Sequence, residues 1–93
     1  MNDTTQSAPV PAHPQLRALF RMQWEPAQES FVLLYPEGMV KLNQSAAEIL
    51  KRCDGTRDVG AIVADLEHAF NTSGLAREVD AFLAEASRRG WLE

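Results

Sequence analysis

The stretch Ser30-Phe31-Val32-Leu33-Leu34-Tyr35-Pro36-Glu37-Gly38-Met39-Val40-Lys41-Leu42-Asn43 decides how the chain folds. Residues 30–35 are β-rich and apolar on both faces, as in a central strand covered on both sides. Pro36 supplies a fixed φ and Gly38 the freedom to take a positive one, the requirements of a tight turn. The next run, Met39, Val40, Lys41 and Leu42, therefore folds back as a short hairpin partner. Upstream, Phe20, Met22 and Trp24 alternate with Arg21, Gln23 and Glu25, the period of a half-buried strand, and Glu25-Pro26-Ala27-Gln28-Glu29 turns it into the central one.

Downstream the period changes from two to that of a helix. Asn43 can cap the first helix, and Ser45 with Glu48 has the spacing of a capping box that would start it a residue or two later; its stripe is Ala46, Ile49, Leu50 and Cys53 and its stop Asp54-Gly55. Asp58 caps a second helix with the stripe Val59, Ile62, Val63, Leu66 and Phe70, broken by Asn71-Thr72-Ser73-Gly74. A third places Leu75, Val79, Phe82, Leu83 and Ala86 on one face, with Arg88 and Arg89 opposing the helix dipole in its last turn and Gly90 ending it. Trp91-Leu92 then covers an edge of the core. The order β-β-β-α-α-α predicts an α+β domain, helices packed on one side of a three-stranded antiparallel sheet. Its expected core includes Phe20, Trp24, Ile49, Leu50, Ile62, Val63, Leu66, Phe70 and Phe82.

Ninety-three residues, 45 % hydrophobic and 24 % charged, suit one small globular domain with one core. The opening MNDTTQSAPVPAHP has three prolines and no hydrophobic periodicity, so residues 1–14 are expected as a flexible tail and residues 15–93 as the domain. The net charge is −4, with the excess in the second half: residues 55–93 hold seven acids and four bases. A surface that neutralises phosphates needs the opposite balance, which argues against general nucleic-acid binding. No run approaches the roughly 18 apolar residues of a membrane span, and no basic-then-apolar secretory signal opens the chain. With a single cysteine, the expected setting is the reducing cytoplasm.

Catalysis requires a nucleophile with its base, paired carboxylates, a phosphate loop or clustered metal ligands, and none occurs with usable spacing. No catalytic residue, metal or cofactor is expected. Cys53 falls on an apolar stripe, where a buried small hydrophobe is the plain reading; a redox switch would require exposure and a basic neighbourhood, for which only Lys51 and Arg52 speak. His68 lies beside Glu67 and off its helix's stripe, as a solvated histidine does, and His13 is in the tail. The pairing of the second and third helices allows a small winged helix-turn-helix regulator that puts the third helix on DNA. That helix, however, balances Arg77, Arg88 and Arg89 against Glu78, Asp80 and Glu85. The third strand has no later segment to pair with. Either Lys41 and its shortness guard an open edge, or an extended peptide adds there as a further strand.

The runs Gln23-Trp24-Glu25-Pro26-Ala27-Gln28-Glu29-Ser30, Leu34-Tyr35-Pro36-Glu37-Gly38-Met39-Val40-Lys41-Leu42-Asn43, and Ala46-Ala47-Glu48-Ile49-Leu50 through Cys53-Asp54-Gly55 closely resemble the PqqD family of pyrroloquinoline quinone biosynthesis. The resemblance runs from about residue 16 to the C-terminus and departs at residues 71–77, where the family has an acid-rich helix start. It implies a winged-helix-like peptide-binding module of the kind called a RiPP recognition element. In that family the module binds the precursor peptide PqqA and presents it to the radical SAM enzyme PqqE, which cross-links a Glu and a Tyr of the peptide; the module itself does no chemistry. The implied groove lies between the third strand (Met39, Val40, Lys41, Leu42) and the third helix. Leu42, Val79 and Leu83 are then candidates for its pocket, and Lys41, Arg77 and Arg88 for meeting a peptide carboxylate. The open edge is compatible with a monomer or with a weak or strand-exchanged homodimer, strand exchange being favoured at high concentration.

Overall fold

The computed structural model describes residues 9–93. Its order is β1 (Arg21–Glu25), β2 (Ser30–Tyr35), β3 (Gly38–Lys41), α1 (Gln44–Lys51), α2 (Val59–Ala69) and α3 (Ala76–Arg88). The sheet is antiparallel with β2 in the centre. Trp24 faces Phe31 and Met22 faces Leu33 across β1 and β2, while Leu33 faces Val40 and Tyr35 faces Gly38 across β2 and β3. That register puts Met22, Phe31, Leu33 and Val40 on one face of the pleat, against the helices.

The caps form where the sequence places them. Asn43 Oδ1 accepts from the Ala46 amide at 2.8 Å, and Asp58 Oδ1 accepts from the Ala61 amide at 2.8 Å. Each helix then turns its stripe inward: Ala46, Ile49 and Leu50 from α1, Ile62 and Leu66 from α2, Val79, Leu83 and Ala86 from α3. Trp91 and Leu92 close the core. Arg52 joins α1 to α2, donating from Nε to Asp65 Oδ2 at 2.5 Å and from Nη1 to Glu48 Oε1 at 3.0 Å.

The N-terminal side of the domain is stitched to the C-terminus. Gln15 and Glu93 exchange backbone hydrogen bonds of 3.2 and 2.8 Å, and the Arg17 amide donates to the Trp91 carbonyl at 2.9 Å. Residues 1–8 of the expected tail lie outside the described residues; within its remainder Pro14 is fully buried and Val10 packs against the core. The Gly55 amide donates to the Pro14 carbonyl at 3.0 Å. Gly55 sits at φ +85°, so the backbone there requires glycine; a Cβ would lie 2.8 Å from Gln15 Oε1, the end of a flexible side chain that can move aside.

Three expectations need correction. Gly38 does not take a positive φ, because it already belongs to β3 as the partner of Tyr35; the left-handed residue of the hairpins is Glu29, at φ 50°. Trp24 is 49 % exposed: it lies at the end of β1, where Phe31 covers it edge-on at 5.3 Å and the helices do not reach. Phe70 is 46 % exposed because it is the C-cap of α2, one turn beyond the last buried residue, Leu66.

Candidate functional site

The open side of β3 is defined by one bond. The Leu42 amide donates to the Phe31 carbonyl at 2.9 Å. In an antiparallel ladder hydrogen-bonded pairs alternate with non-bonded ones, so Val40, opposite Leu33, also turns its backbone groups toward β2. Met39 and Lys41 turn theirs outward. Among the described residues no strand pairs with that side. The chain thus presents two N–H donors and two carbonyl acceptors along an edge, the arrangement a further strand requires.

Beside this edge runs a groove of about 290 Å³, open to solvent. Val40, Lys41 and Leu42 form one wall, and Ala46 and Ile49 of α1 contribute to its base. The opposite wall comes from Glu78, Phe82, Glu85 and Arg89, completed by Trp91. Phe82 and Trp91 pack at a tilt of 55° with 6.4 Å between ring centres, and the Arg89 guanidinium lies 5.5 Å from the centre of the Trp91 ring. Arg89 Nε also donates to Glu85 Oε2 at 2.6 Å, and Arg88 pairs with the same carboxylate. Lys41 and Glu78 form no ion pair among the described residues, so the groove carries one available charge of each sign.

Of the residues expected at the site, Val40, Lys41 and Leu42 line the groove, whereas Met39 has an exposed side chain and does not line it. Val79 and Leu83 are buried at 1 % and 0 % exposure and hold α3 on the core from beneath. Arg77 and Arg88 are exposed on a different line of the helix and do not line the groove. The wall residues instead follow i, i+4, i+7 and i+11, namely Glu78, Phe82, Glu85 and Arg89. This stripe borders the apolar one by about one residue of helical rotation, and the legible signal for it was Phe82, a ring placed where the apolar face meets the charged one.

Two further concavities flank the groove. One, of about 300 Å³, lies between α1 and the α2–α3 junction and includes Leu66, Phe70 and Leu75. The other, of about 450 Å³, lies between Trp24 and Phe31 of the sheet and Ala47 and Glu48 of α1. Lys51 Nζ sits 4.5 Å from the centre of the Phe31 ring.

Cys53 is buried and its thiol donates to the Ile49 carbonyl at 3.4 Å. Burial, and secondarily the charge of Asp54, pushes its pKa up to about 11, which opposes thiolate chemistry. Among the described residues no three His, Cys, Asp or Glu side chains are grouped to hold a metal ion. None of the described helices is long and apolar enough to cross a membrane.

Comparison with known proteins bears on the same region. The family described as coenzyme PQQ synthesis protein D (PqqD) matches residues 30–92. A protein of Stutzerimonas stutzeri named PqqA binding protein is 56 % identical over 81 residues, covering 86 % of this chain and 88 % of its own length. Its namesake from Azotobacter vinelandii is 58 % identical over the same shares, and that from Methylococcus capsulatus 46 % identical over 84 % of each chain. Among solved structures, the solution NMR structure of the PqqD truncation of Methylobacterium extorquens PqqCD, described as a functional, stand-alone RiPP recognition element, superposes with a TM-score of 0.72. It covers 96 % of this chain and 97 % of its own at 24 % identity, a likeness of fold.

Proposed function

The chain belongs to the PqqD family, and from that premise we propose that it is a non-catalytic peptide chaperone of pyrroloquinoline quinone biosynthesis. It binds the precursor peptide PqqA by strand addition along β3 and presents it to the radical SAM enzyme PqqE, in the cytoplasm. Relatives named for PqqA binding support the ligand. The observation that carries the mode of binding is the outward set of backbone groups on Met39 and Lys41, set beside a groove where Val40, Leu42, Phe82 and Trp91 alternate with charged side chains.

In this reading the peptide backbone pairs with Met39 and Lys41, which gives affinity with little demand on sequence. Selectivity comes from alternate peptide side chains that enter the groove against Val40, Leu42 and Phe82. Lys41 meets a peptide carboxylate at the rim, an interaction that acts on association rate and weakens with salt. Val79 and Leu83 contribute by fixing α3 at the right distance. Arg77 and Arg88, outside the groove, contact only parts of the peptide or enzyme that extend beyond it.

An amide-resolved NMR titration with PqqA, run beside duplex DNA, tests the assignment. Shifts concentrated on β3 and on the groove side of α3 support it. No response to PqqA at millimolar concentration, or a response of α3 to DNA instead, overturns it.

A further inference from the structure

The groove beside β3 does not end at the sheet. Ser45, Ile49 and Glu78 line both it and the 300 Å³ cavity between α1 and the α2–α3 junction, so the two hollows adjoin. Past that junction the walls become apolar, with Leu66, Phe70, Leu75 and Val79. A cavity of about 150 Å³ accepts a benzene ring, so the space is ample for an aromatic or large aliphatic side chain. Phe70, at 46 % exposure, presents an apolar ring on the cavity wall.

The charges at the junction are unequal. Glu48, on the rim, is taken up by Lys51 and Arg52, whereas Glu78 has no ion-pair partner among the described residues. A segment crossing from groove to cavity therefore passes one free carboxylate, which favours a basic residue there.

Resting on the reading above, we propose that the bound peptide continues beyond the β3 edge, past Ser45 and Glu78, and seats a large apolar side chain against Phe70 and Leu75, with a basic peptide residue opposite Glu78. The cavity is a second subsite for the same ligand. Continuity with the groove through Ser45, Ile49 and Glu78 selects this occupant.

The test uses the full chain and PqqA. Phe70→Ser removes a half-exposed ring, so thermal unfolding should confirm an intact fold, and Phe70→Leu keeps the site apolar. Phe70→Ser should weaken binding at least tenfold and Phe70→Leu less than threefold, while the Met39 and Lys41 amides still shift at saturation. Glu78→Gln should lower the salt dependence of binding. Wild-type protein should show intermolecular NOEs from the peptide to Phe70 and Leu75. Unchanged affinity in Phe70→Ser, or absence of those NOEs in a saturated complex, overturns the subsite and leaves the strand-addition reading standing. A dimer that Phe70→Ser dissociates without altering peptide affinity assigns the cavity to a second copy and likewise overturns it. Failure of the wild-type protein to bind PqqA removes both readings.

Discussion

The amide of Leu42 and the carbonyl of Phe31, 2.9 Å apart, set the phase of the last ladder of the sheet. Because of that bond, Val40 spends its backbone groups on β2 and Lys41 keeps its own for the open edge. Adjacent residues of one short strand thus have different tasks, and a single substitution type separates them.

Proline at either position removes one N–H. In Lys41→Pro the lost donor faces outward, where an edge strand tolerates proline. The variant should remain folded by circular dichroism and bind PqqA at least tenfold more weakly. Val40→Pro removes a donor to β2, so it should lower the unfolding midpoint and lose binding together with the fold. Equal binding by Lys41→Pro and wild-type protein would contradict strand addition.

Gly55→Ala should destabilise the domain by about 1–2 kcal/mol, since a left-handed residue with a Cβ carries that conformational cost. The Cβ also meets Gln15 Oε1 at 2.8 Å. Pairing the change with Gln15→Ala should recover little of this, because the Gln15 side chain can already move aside and the backbone part remains. Urea denaturation of the single and double variants measures both.

Acidification should weaken the α1–α2 contact. Hydrogen bonds from Arg52 hold the carboxyls of Glu48 and Asp65 below their ordinary values of 4.5 and 3.8. A carboxylate with a lowered folded pKa adds stability that is fully present above its unfolded pKa and disappears as pH falls through the folded one. Unfolding temperatures should accordingly be flat from pH 7 to 5 and fall below about pH 4.5, and Arg52→Met should flatten that acid limb. A limb unaffected by Arg52→Met would place the acid sensitivity in other carboxylates.

The thiol of Cys53, raised to about 11, should react with iodoacetamide in the folded protein at pH 8 only as fast as the domain opens. Mass spectrometry of native against urea-unfolded samples reads the difference. Rapid labelling of native protein would revive a redox role for this residue.

The element order, both side-chain helix caps and the stripes of α1 and α3 were legible in the sequence, because each rests on local chemistry: an Asn or Asp before a helix, apolar spacing within it. Trp24 and Phe70 were misplaced because alternation and helical phase give a residue's face and say nothing of how far the opposing element extends. Both lie at element ends, beyond their cover. The site followed the same division. Residues 39–42 stood out as an edge without a partner, whereas Glu78, Phe82, Glu85 and Arg89 became a wall only once the packing of Val79 and Leu83 fixed the rotation of α3. Arg77 and Arg88 have suitable charge and fall on another line of the helix.

The most direct test of the account is amide hydrogen exchange along β3 with and without PqqA. In the free protein Val40 and Leu42 should be protected by β2 while Met39 and Lys41 exchange freely; at saturation Met39 and Lys41 should slow by at least tenfold. Binding that leaves the Met39 and Lys41 amides exchanging at their free rates would show that the peptide does not add to the sheet.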